Sequence, residues 1–355
     1  MNSNDSRPWT EKYRPIQLRG VAFQTTVVRV LQTTLSDMGK NDVPNLLFYG
    51  PPGTGKTSTI AAISRQWFPT PQLYRERVLE LNASDERGIA SVRDVVIAFA
   101  RQPVLPDPAG KIPPFRLLIL DEADAMTEKA QASLRRVMER YATYTRFCLL
   151  CNYLSGLLAP LVSRCAVFYF RSPSPSQMSV RLDLITQREN LRIGKDETEH
   201  KAVLTLFAQH SDGDMRKALH WLQCLNLMWT TTRKTESQRC DAELAKTVLN
   251  NMSARPPQSI IVGLVAILVE KKQYHFATTW FHNLYSKILN QGYSVTVCLQ
   301  MICETLLKVA NVHPEMADKV CEYVEKLSEI DAALHKGADA HIQLLSLFHP
   351  LLAAK

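Results

Sequence analysis

The chain has 355 residues, too many for one ordinary helical or sandwich domain, so two or three domains are expected. Hydrophobic residues make up 46%, as in globular proteins with buried cores, and 42 Lys and Arg against 34 Asp and Glu give a net charge of +8, which slightly favours an anionic partner. The longest apolar run, Ile260–Val269, is too short to cross a membrane, and the N-terminus lacks the apolar core of a signal peptide, so a soluble intracellular protein with no membrane partner is expected.

The first half of the chain alternates short apolar strands with amphipathic helices. Strands are predicted over 45–49, 77–81, 115–120, 147–151 and 166–170, and helices over 57–67, 89–101 and 127–141. Continuous apolar strands separated by such helices are typical of a parallel sheet that is covered on both faces. An α/β domain over residues 1–171 is therefore predicted.

The second half is helical. Ser172-Pro-Ser-Pro175 breaks the alternation, and three helices are then predicted over 177–190, 197–210 and 215–228, the second with a start signal at Asp196. A polar segment over 230–241 follows, and Ala254-Arg-Pro-Pro257 marks a second boundary. These breaks predict a small helical domain over 172–252 and a helical C-terminal domain over 253–355.

The 8 cysteines are scattered, and only Cys148 and Cys151 have the spacing of a metal site. Both lie in a predicted strand, on which residues three apart point to opposite faces. Thiols buried in the core of a protein from a reducing compartment are therefore favoured over a metal site.

The segment Gly50-Pro-Pro-Gly-Thr-Gly-Lys-Thr57 matches the phosphate-binding pattern G-x-x-x-x-G-K-[ST] and stands between a predicted strand and a predicted helix. Its backbone N–H groups would surround phosphate oxygens, Lys56 would reach the β- and γ-phosphates, and Thr57 would hold Mg²⁺. A chance match is the alternative, and the strand–helix context disfavours it. The residues predicted to bind ATP are Gly50, Pro51, Pro52, Gly53, Thr54, Gly55, Lys56, Thr57 and Ser58.

Acidic residues follow the apolar strand that ends at Leu120. Ligands of open α/β sheets bind at the carboxyl ends of the strands, so Asp121 suits a Mg²⁺ site, either as a direct ligand or through another ligand of the ion, and Glu122 suits a residue that polarises the attacking water. The alternative is an acidic surface turn, which the upstream phosphate loop makes the minor interpretation. Asp124 is interpreted as a helix cap.

Three further polar residues stand where they could serve a nucleotide. Asn152 follows a strand and could orient water beside the γ-phosphate, although a turn Asn is the ordinary interpretation. Arg164 lies in Ser163-Arg-Cys165, and Arg216 stands at the start of a helix, where a cation opposes the helix dipole. Broken local rules of this kind often mark function. An exposed arginine paired with Asp212 or Asp214 is the alternative for Arg216.

Basic residues also gather on two predicted helices. Arg87, Arg93 and Arg101 lie on or beside one helix, and Arg135, Arg136 and Arg140 lie on another. Such groups could contact phosphates of a duplex without reading its bases, although a solvated helix face is the ordinary explanation.

Taken together, the motifs resemble those of the small subunits of eukaryotic replication factor C, the AAA+ clamp loader, over nearly the whole chain. The stretches that carry the resemblance are Pro8-Trp-Thr-Glu-Lys-Tyr-Arg-Pro15, Phe48-Tyr-Gly-Pro-Pro-Gly-Thr-Gly-Lys-Thr-Ser58, Leu79-Glu-Leu-Asn-Ala-Ser-Asp-Glu-Arg-Gly-Ile89, Ile119-Leu-Asp-Glu-Ala-Asp124, Ala132-Ser-Leu-Arg-Arg136, Phe147-Cys-Leu-Leu-Cys-Asn-Tyr153, Ser163-Arg-Cys165 and Gly337-Ala-Asp-Ala-His-Ile-Gln-Leu-Leu345. Val21-Ala-Phe-Gln24 is similar to the type of small subunit that is called the fourth in animals.

The resemblance implies a RecA-like P-loop ATPase domain, a helical lid and an all-helical collar through which five related subunits join. It implies that Tyr13, Arg14 and Pro15 lie near the adenine, that Asn152 is a sensor residue, and that Arg216 touches the γ-phosphate in cis. It implies that Arg164 is an arginine finger for the neighbouring subunit's ATP.

The partners that the resemblance implies are the other replication factor C subunits, the sliding clamp PCNA and primer–template DNA, which Arg87 and Arg93 would face. Clamp loading would serve replication and repair in the nucleus. Two positions depart from the family pattern: Gly156 stands where a basic or other polar residue is usual, and Gly20 replaces an acid.

Two other functions stay open on the sequence. An AAA+ DNA motor, such as a branch-migration helicase, would need a DNA-binding module after the lid, and the C-terminal segment lacks the basic pattern of one. Alternatively, the chain could bind ATP as a structural subunit with little turnover, which the complete motifs disfavour.

Overall fold

Five strands form one parallel sheet in the computed structural model, which describes residues 7–21, 23–36, 43–84, 89–104, 112–232, 239–269 and 292–347. The strands are β1 (Asn45–Tyr49), β2 (Val78–Asn82), β3 (Arg116–Asp121), β4 (Thr145–Cys151) and β5 (Cys165–Tyr169). Their order is β2-β3-β4-β1-β5, and every pairing is parallel. The predicted α/β class is confirmed, and the strand bounds differ from the predicted ones by no more than two residues.

The helices around the sheet cover both of its faces. They are α2 (Thr25–Ser36), α3 (Lys56–Trp67), α4 (Pro71–Arg77), α5 (Ile89–Ala100), α6 (Glu128–Arg140) and α7 (Ala159–Val162). The short helix α1 (Trp9–Lys12) instead packs on the later helices, where the Trp9 N–H donates to Oε1 of Gln223 at 3.0 Å. Neighbouring strand residues point to opposite faces, so Phe48 packs in a cluster with Ile63 of α3, and Leu47 packs in another with Val137 of α6. The two clusters make the central strands buried on both sides, as expected of a parallel sheet.

The two cysteines with metal-like spacing belong to different faces of this sheet. Cys148 packs in the cluster on the α3 face, and Cys151 packs in the cluster on the α6 face. Both are free and buried. The prediction of core thiols is confirmed, because a single metal ion could not reach both faces of the sheet.

Three helices follow the sheet and form a helical layer in the same compact unit, which spans Met1–Ala242. They are α8 (Pro175–Arg188), α9 (Glu197–His210) and α10 (Met215–Thr232). Asp196 caps α9 as predicted, accepting a hydrogen bond from the N–H of Glu199 at 2.7 Å. Helix α10 ends later than the predicted 228, because its buried stripe continues to Trp229.

A second compact unit spans Glu243–Lys355. The described helices from this boundary onward are α11 (Ala242–Ser253), whose first residue is the last of the first unit, α12 (Gln258–Val269), α13 (Val295–Val312), α14 (Ala317–His335) and α15 (Ala340–Ser346). The break at 254–257 separates α11 from α12, whose start is preceded by two prolines that cannot extend α11. The exact residues that divide the small helical domain from the C-terminal domain stay a prediction.

Helix α13 is long and apolar enough to cross a membrane by length and composition alone, although it contains no uninterrupted apolar run as long as residues 260–269. Its residues Cys298, Ile302 and Leu306 are buried in the core cluster of the second unit, together with Leu264 and Leu327 of other helices. One face of α13 therefore packs against the other helices of this unit.

Burial predicts very different reactivities for the cysteines. Burial raises the pKa of the Cys240 thiol to about 12, whereas Cys321 is exposed. Because the thiolate is the reactive species, we expect Cys321 to react first with a disulfide reagent at pH 8 in the folded chain. Reaction kinetics with Ellman's reagent would measure this, and the fast phase should vanish in Cys321→Ser. A fast phase that survives this substitution would contradict the assigned burial.

Candidate nucleotide-binding site

The loop between β1 and α3 contains glycines at which any side chain would be strained. Gly50 has a φ of 144°, and a Cβ there would lie 2.2 Å from the carbonyl oxygen of Phe170. Gly53 has a φ of 71°, and a Cβ there would lie 1.9 Å from Oδ1 of Asp214. The loop ends at the N-terminus of α3, which no side chain caps. The first N–H groups of α3 are therefore free to bind an anion.

Lys56 holds this loop from within. Its buried ammonium donates hydrogen bonds to the carbonyl oxygens of Gly50 at 2.6 Å and Pro51 at 3.0 Å, and to Oδ1 of Asn152 at 2.9 Å. Burial lowers the pKa of Lys56, and the nearby carboxylate of Asp121 offsets part of that effect. The arrangement holds a cation at the centre of a loop of backbone amides, which is the chemistry of a phosphate site.

The carboxyl end of β3 supplies oxygen atoms next to the loop. The hydroxyl of Thr57 donates to Oδ2 of Asp121 at 2.9 Å, and the backbone N–H of Glu122 donates to Oδ1 of Asp121 at 3.0 Å. Hydroxyl and carboxylate oxygens are the ligands that Mg²⁺ prefers, so this pair fits the ion that the sequence predicts. The assignment of the metal to Thr57 and Asp121 stays a prediction.

Glu122 adopts a left-handed conformation with a φ of 55°. This conformation is uncommon for a residue other than glycine, and four other non-glycine residues in the described ranges adopt it as well. It turns the chain sharply from β3 into the short helix Ala123–Ala125, and Glu122 itself is exposed. The position is compatible with the predicted role of polarising water.

Asp124 ties the turn after β3 to the end of β4. Its Oδ2 accepts hydrogen bonds from the backbone N–H groups of Asn152 at 3.0 Å and Tyr153 at 3.2 Å. The interpretation of Asp124 as a helix cap is therefore wrong, because Thr127 caps the following helix α6. Asp124 instead sets the position of Asn152 beside Lys56.

Gln131 makes a second connection between these segments, which the sequence did not predict. Gln131 of α6 is buried, and its amide donates to the carbonyl oxygens of Met126 at 3.0 Å and Gly156 at 2.8 Å, while its oxygen accepts from Leu158 N–H at 2.8 Å. In the sequence, only its position next to the apolar stripe of α6 indicates that Gln131 could be buried.

Gly156 also packs closely against the turn after β3. A Cβ there would lie 2.9 Å from Cβ of Asp124, which explains a small residue at this point.

Arg216 stands at the start of α10, two residues after Asp214, which lies against Gly53 of the phosphate loop. Asp214 accepts hydrogen bonds from the backbone N–H groups of Arg216 at 2.8 Å and Lys217 at 3.3 Å, so it caps the helix. Within the described ranges, the Arg216 guanidinium forms no ion pair with any acidic residue, and so none with Asp212 or Asp214. The alternative of an internally paired arginine is therefore not observed.

A cleft of about 340 Å³ lies between the loop and the helical layer, within the first unit. Such a volume is in the range of small-molecule sites. Its lining includes all three residues predicted near the adenine (Tyr13, Arg14 and Pro15), as well as Gly53, Thr54, Gly55, Ser58 and Arg216. The Tyr13 hydroxyl donates to Glu189 at the end of α8, which fixes the N-terminal segment at one end of the cleft.

Arg164 lies away from this cleft. It precedes β5, and Cys165 pairs with Asn45 at the start of β1, whereas the phosphate loop begins after the other end of β1. The two points are one strand length apart, about 13 Å. The Arg164 guanidinium contacts Oε1 of Glu139 at 2.6 Å and the carbonyl oxygen of Pro160 at 2.7 Å.

The side chains predicted to face DNA are not among those that the structure describes. Arg87 lies outside the described residues, and although Arg93 belongs to α5, its side chain also lies outside them. Their role stays a prediction.

Comparison with known proteins gives two matching family models. Residues 46–173 match the AAA family, described as ATPase family associated with various cellular activities, and residues 256–349 match the replication factor C C-terminal domain. Replication factor C subunit 4 of Homo sapiens is 40% identical over 343 residues, which cover 96% of this chain and 86% of that protein. Subunit 2 of Schizosaccharomyces pombe is 40% identical over 96% of this chain and 93% of its own length.

Solved structures with a similar fold include the RuvB Holliday junction branch migration motor of Thermotoga maritima. It is 15% identical, has a TM-score of 0.53, and covers 79% of this chain and 89% of its own. At this level of identity, the likeness concerns the fold alone.

The tie made by Asp124 leads to a test of stability. Asp124→Ala leaves the N–H groups of Asn152 and Tyr153 without their acceptor, so we expect a loss of about 1–3 kcal/mol in the free energy of unfolding. Asp124→Asn, which keeps one acceptor oxygen, should lose less. Urea denaturation followed by circular dichroism measures both. The control is Asp94→Ala on the exposed surface of α5, where a change within about 0.5 kcal/mol is expected; equal losses at the two positions would contradict the role of Asp124.

Proposed function

The chain belongs to the replication factor C family of AAA+ ATPases, and we propose that it is an ATP-dependent subunit of the clamp loader, which opens a sliding clamp and loads it on primer–template DNA. The observation that carries the proposal is the meeting of Lys56, Thr57, Asp121 and Asn152 at the carboxyl edge of the sheet. These groups come from three separate elements, and they are the ones that a triphosphate and its metal require.

In this proposal, the amides of the loop and Lys56 bind the phosphates, and Thr57 and Asp121 hold Mg²⁺. The ion would neutralise charge on the phosphate oxygens during transfer. Glu122 polarises the attacking water, Asn152 orients it, and Arg216 binds the γ-phosphate from the lid. The N-terminal segment with Tyr13, Arg14 and Pro15 encloses the adenine at the other end of the cleft, which it lines.

Arg164 acts on the ATP of the neighbouring subunit. Its position at the amino end of β5 supports this role, because in its own chain the sheet separates it from the phosphate loop. An arginine finger supplied from outside makes hydrolysis depend on assembly. The isolated chain should therefore hydrolyse ATP poorly.

The partners proposed for the chain are the other replication factor C subunits, the sliding clamp PCNA and primer–template DNA, in the nucleus. Arg87 and Arg93 are the residues proposed to contact DNA. Neighbouring subunits would join through the second unit, which includes the segment that matches the replication factor C C-terminal domain.

Two alternatives have less support. A branch-migration motor shares the fold, but residues 256–349 match the replication factor C C-terminal domain. A structural subunit that binds ATP without turnover would not need a carboxylate such as Glu122, which suits polarising water, beside Asp121.

The first test concerns the finger. In Arg164→Ala, we expect the chain's own ATP affinity to change less than twofold, while hydrolysis at the adjoining site in the assembled loader falls by about 10³-fold. Calorimetry on the isolated chain and single-turnover hydrolysis in the complex measure the two quantities. Arg171→Ala, an exposed arginine after β5, is the control. Weaker ATP binding by the isolated variant would contradict the trans assignment.

The second test concerns the phosphate loop. Lys56→Ala removes the cation that faces the phosphates, so we expect ATP affinity to fall by about tenfold or more, since hydrogen bonds to charged groups contribute about 1.5–3 kcal/mol. Titration calorimetry with ATP and Mg²⁺ measures the change, and Lys129→Ala, an exposed lysine of α6, is the control. Unchanged affinity in a folded Lys56→Ala protein would refute the phosphate site.

A further inference from the structure

Arg181 of α8 lines the same cleft and has no role in the scheme above. It is half-buried, and burial lowers its pKa, with the neighbouring charge of Arg188 acting in the same direction. In the part of the chain that the structure describes, its guanidinium forms no hydrogen bond or ion pair. A half-buried cation normally has a partner, because burying an unpaired charge is costly. The structure thus holds an uncompensated positive charge in the wall of the cleft.

The position of Arg181 along the cleft follows from the two ends of α8. Near its amino end, Ser172 packs against Gly213, the neighbour of Asp214, which touches Gly53 of the phosphate loop. At its carboxyl end, Glu189 accepts the hydrogen bond of Tyr13. Arg181 lies six residues after the first residue of α8, about 9 Å along the helix. It therefore stands between the end that would hold the γ-phosphate and the end that would hold the adenine.

We propose that Arg181 is a second nucleotide-binding arginine of the lid, one that binds the α-phosphate and ribose part that ADP and ATP share. This assignment rests on the proposed nucleotide site. Arg216, beside the residue that touches the loop, lies nearer to the phosphate that only ATP carries. The two arginines would then divide the work: Arg181 sets affinity for any adenine nucleotide, and Arg216 responds to the γ-phosphate.

A solvated lid arginine is the ordinary alternative, and the chain supplies a matched control for it. Arg188 lies on the same helix, is exposed and does not line the cleft. Removing Arg188 changes the charge of the lid by the same amount as removing Arg181. An effect of overall charge would appear in both variants, whereas a direct contact would appear in one.

The experiment measures ADP and ATP affinity of the full chain by titration calorimetry, with Mg²⁺ present, for wild type, Arg181→Ala, Arg181→Gln and Arg188→Ala. We expect both affinities to fall by about tenfold in Arg181→Ala and by the same factor for ADP and ATP, because the lost contact is common to them. Arg188→Ala should stay within about twofold of wild type. In the assembled loader, Arg181→Ala should raise KM and leave kcat unchanged, the mark of an interaction made equally in ground and transition states.

Three results would overturn this assignment. Unchanged ADP affinity in folded Arg181→Ala would remove the contact, and a loss confined to ATP would reassign the residue to the γ-phosphate. An equal loss in Arg188→Ala would reduce the effect to charge. Arg181→Gln, which keeps the aliphatic stem and a polar end but removes the charge, replaces Arg181→Ala if the latter fails to fold. A wild-type chain that binds neither nucleotide would instead refute the proposed function, so the two failures are distinct.

Discussion

One buried cation organises the cleft. Lys56 donates to carbonyl oxygens of Gly50 and Pro51 at the end of β1 and to Asn152 at the end of β4. Since the two strands are adjacent in the sheet, a single ammonium group holds the loop in register with its neighbour. Burying that charge is costly unless oxygen atoms surround it. The conformation of the loop therefore depends on which oxygen atoms surround the Lys56 ammonium. In this structure they are carbonyl oxygens of the loop and Oδ1 of Asn152, and in the proposed complex they include phosphate oxygens.

The parallel sheet carries different functional groups at the two ends of its strands. All strands end at the same edge, where the groups around Lys56 and Asp121 collect. Arg164 precedes β5 and therefore stands at the opposite edge, where it contacts Glu139 of α6. The same helix carries Gln131, which binds the turn after β3 and the loop after β4. One helix thus contacts both the segments that flank the chain's own site and the arginine proposed for the neighbour's site.

The helical layer completes the cleft in two ways: it packs closely against the phosphate loop, and it contributes positively charged side chains. The approach depends on Gly53, which leaves no room for a side chain beside Asp214. The charge comes from Arg181 and Arg216 on two different helices, neither of which has an acidic partner in the described ranges. A cleft with unpaired cations on the lid side and backbone amides on the loop side suits a polyanion that touches both.

The sequence by itself determined the alternation of strands and helices, the course of the phosphate loop and the family, because apolar periodicity and the need for glycine are properties of short segments. It also placed Asp121 and Asn152 at strand ends. It could not assign Asp124, which was interpreted as a helix cap, since its partners Asn152 and Tyr153 lie 28 and 29 residues away. The same holds for Gln131 and Arg181. Only the packing of the helices shows that Gln131 has backbone partners and that Arg181 lines the cleft without a partner in the described ranges.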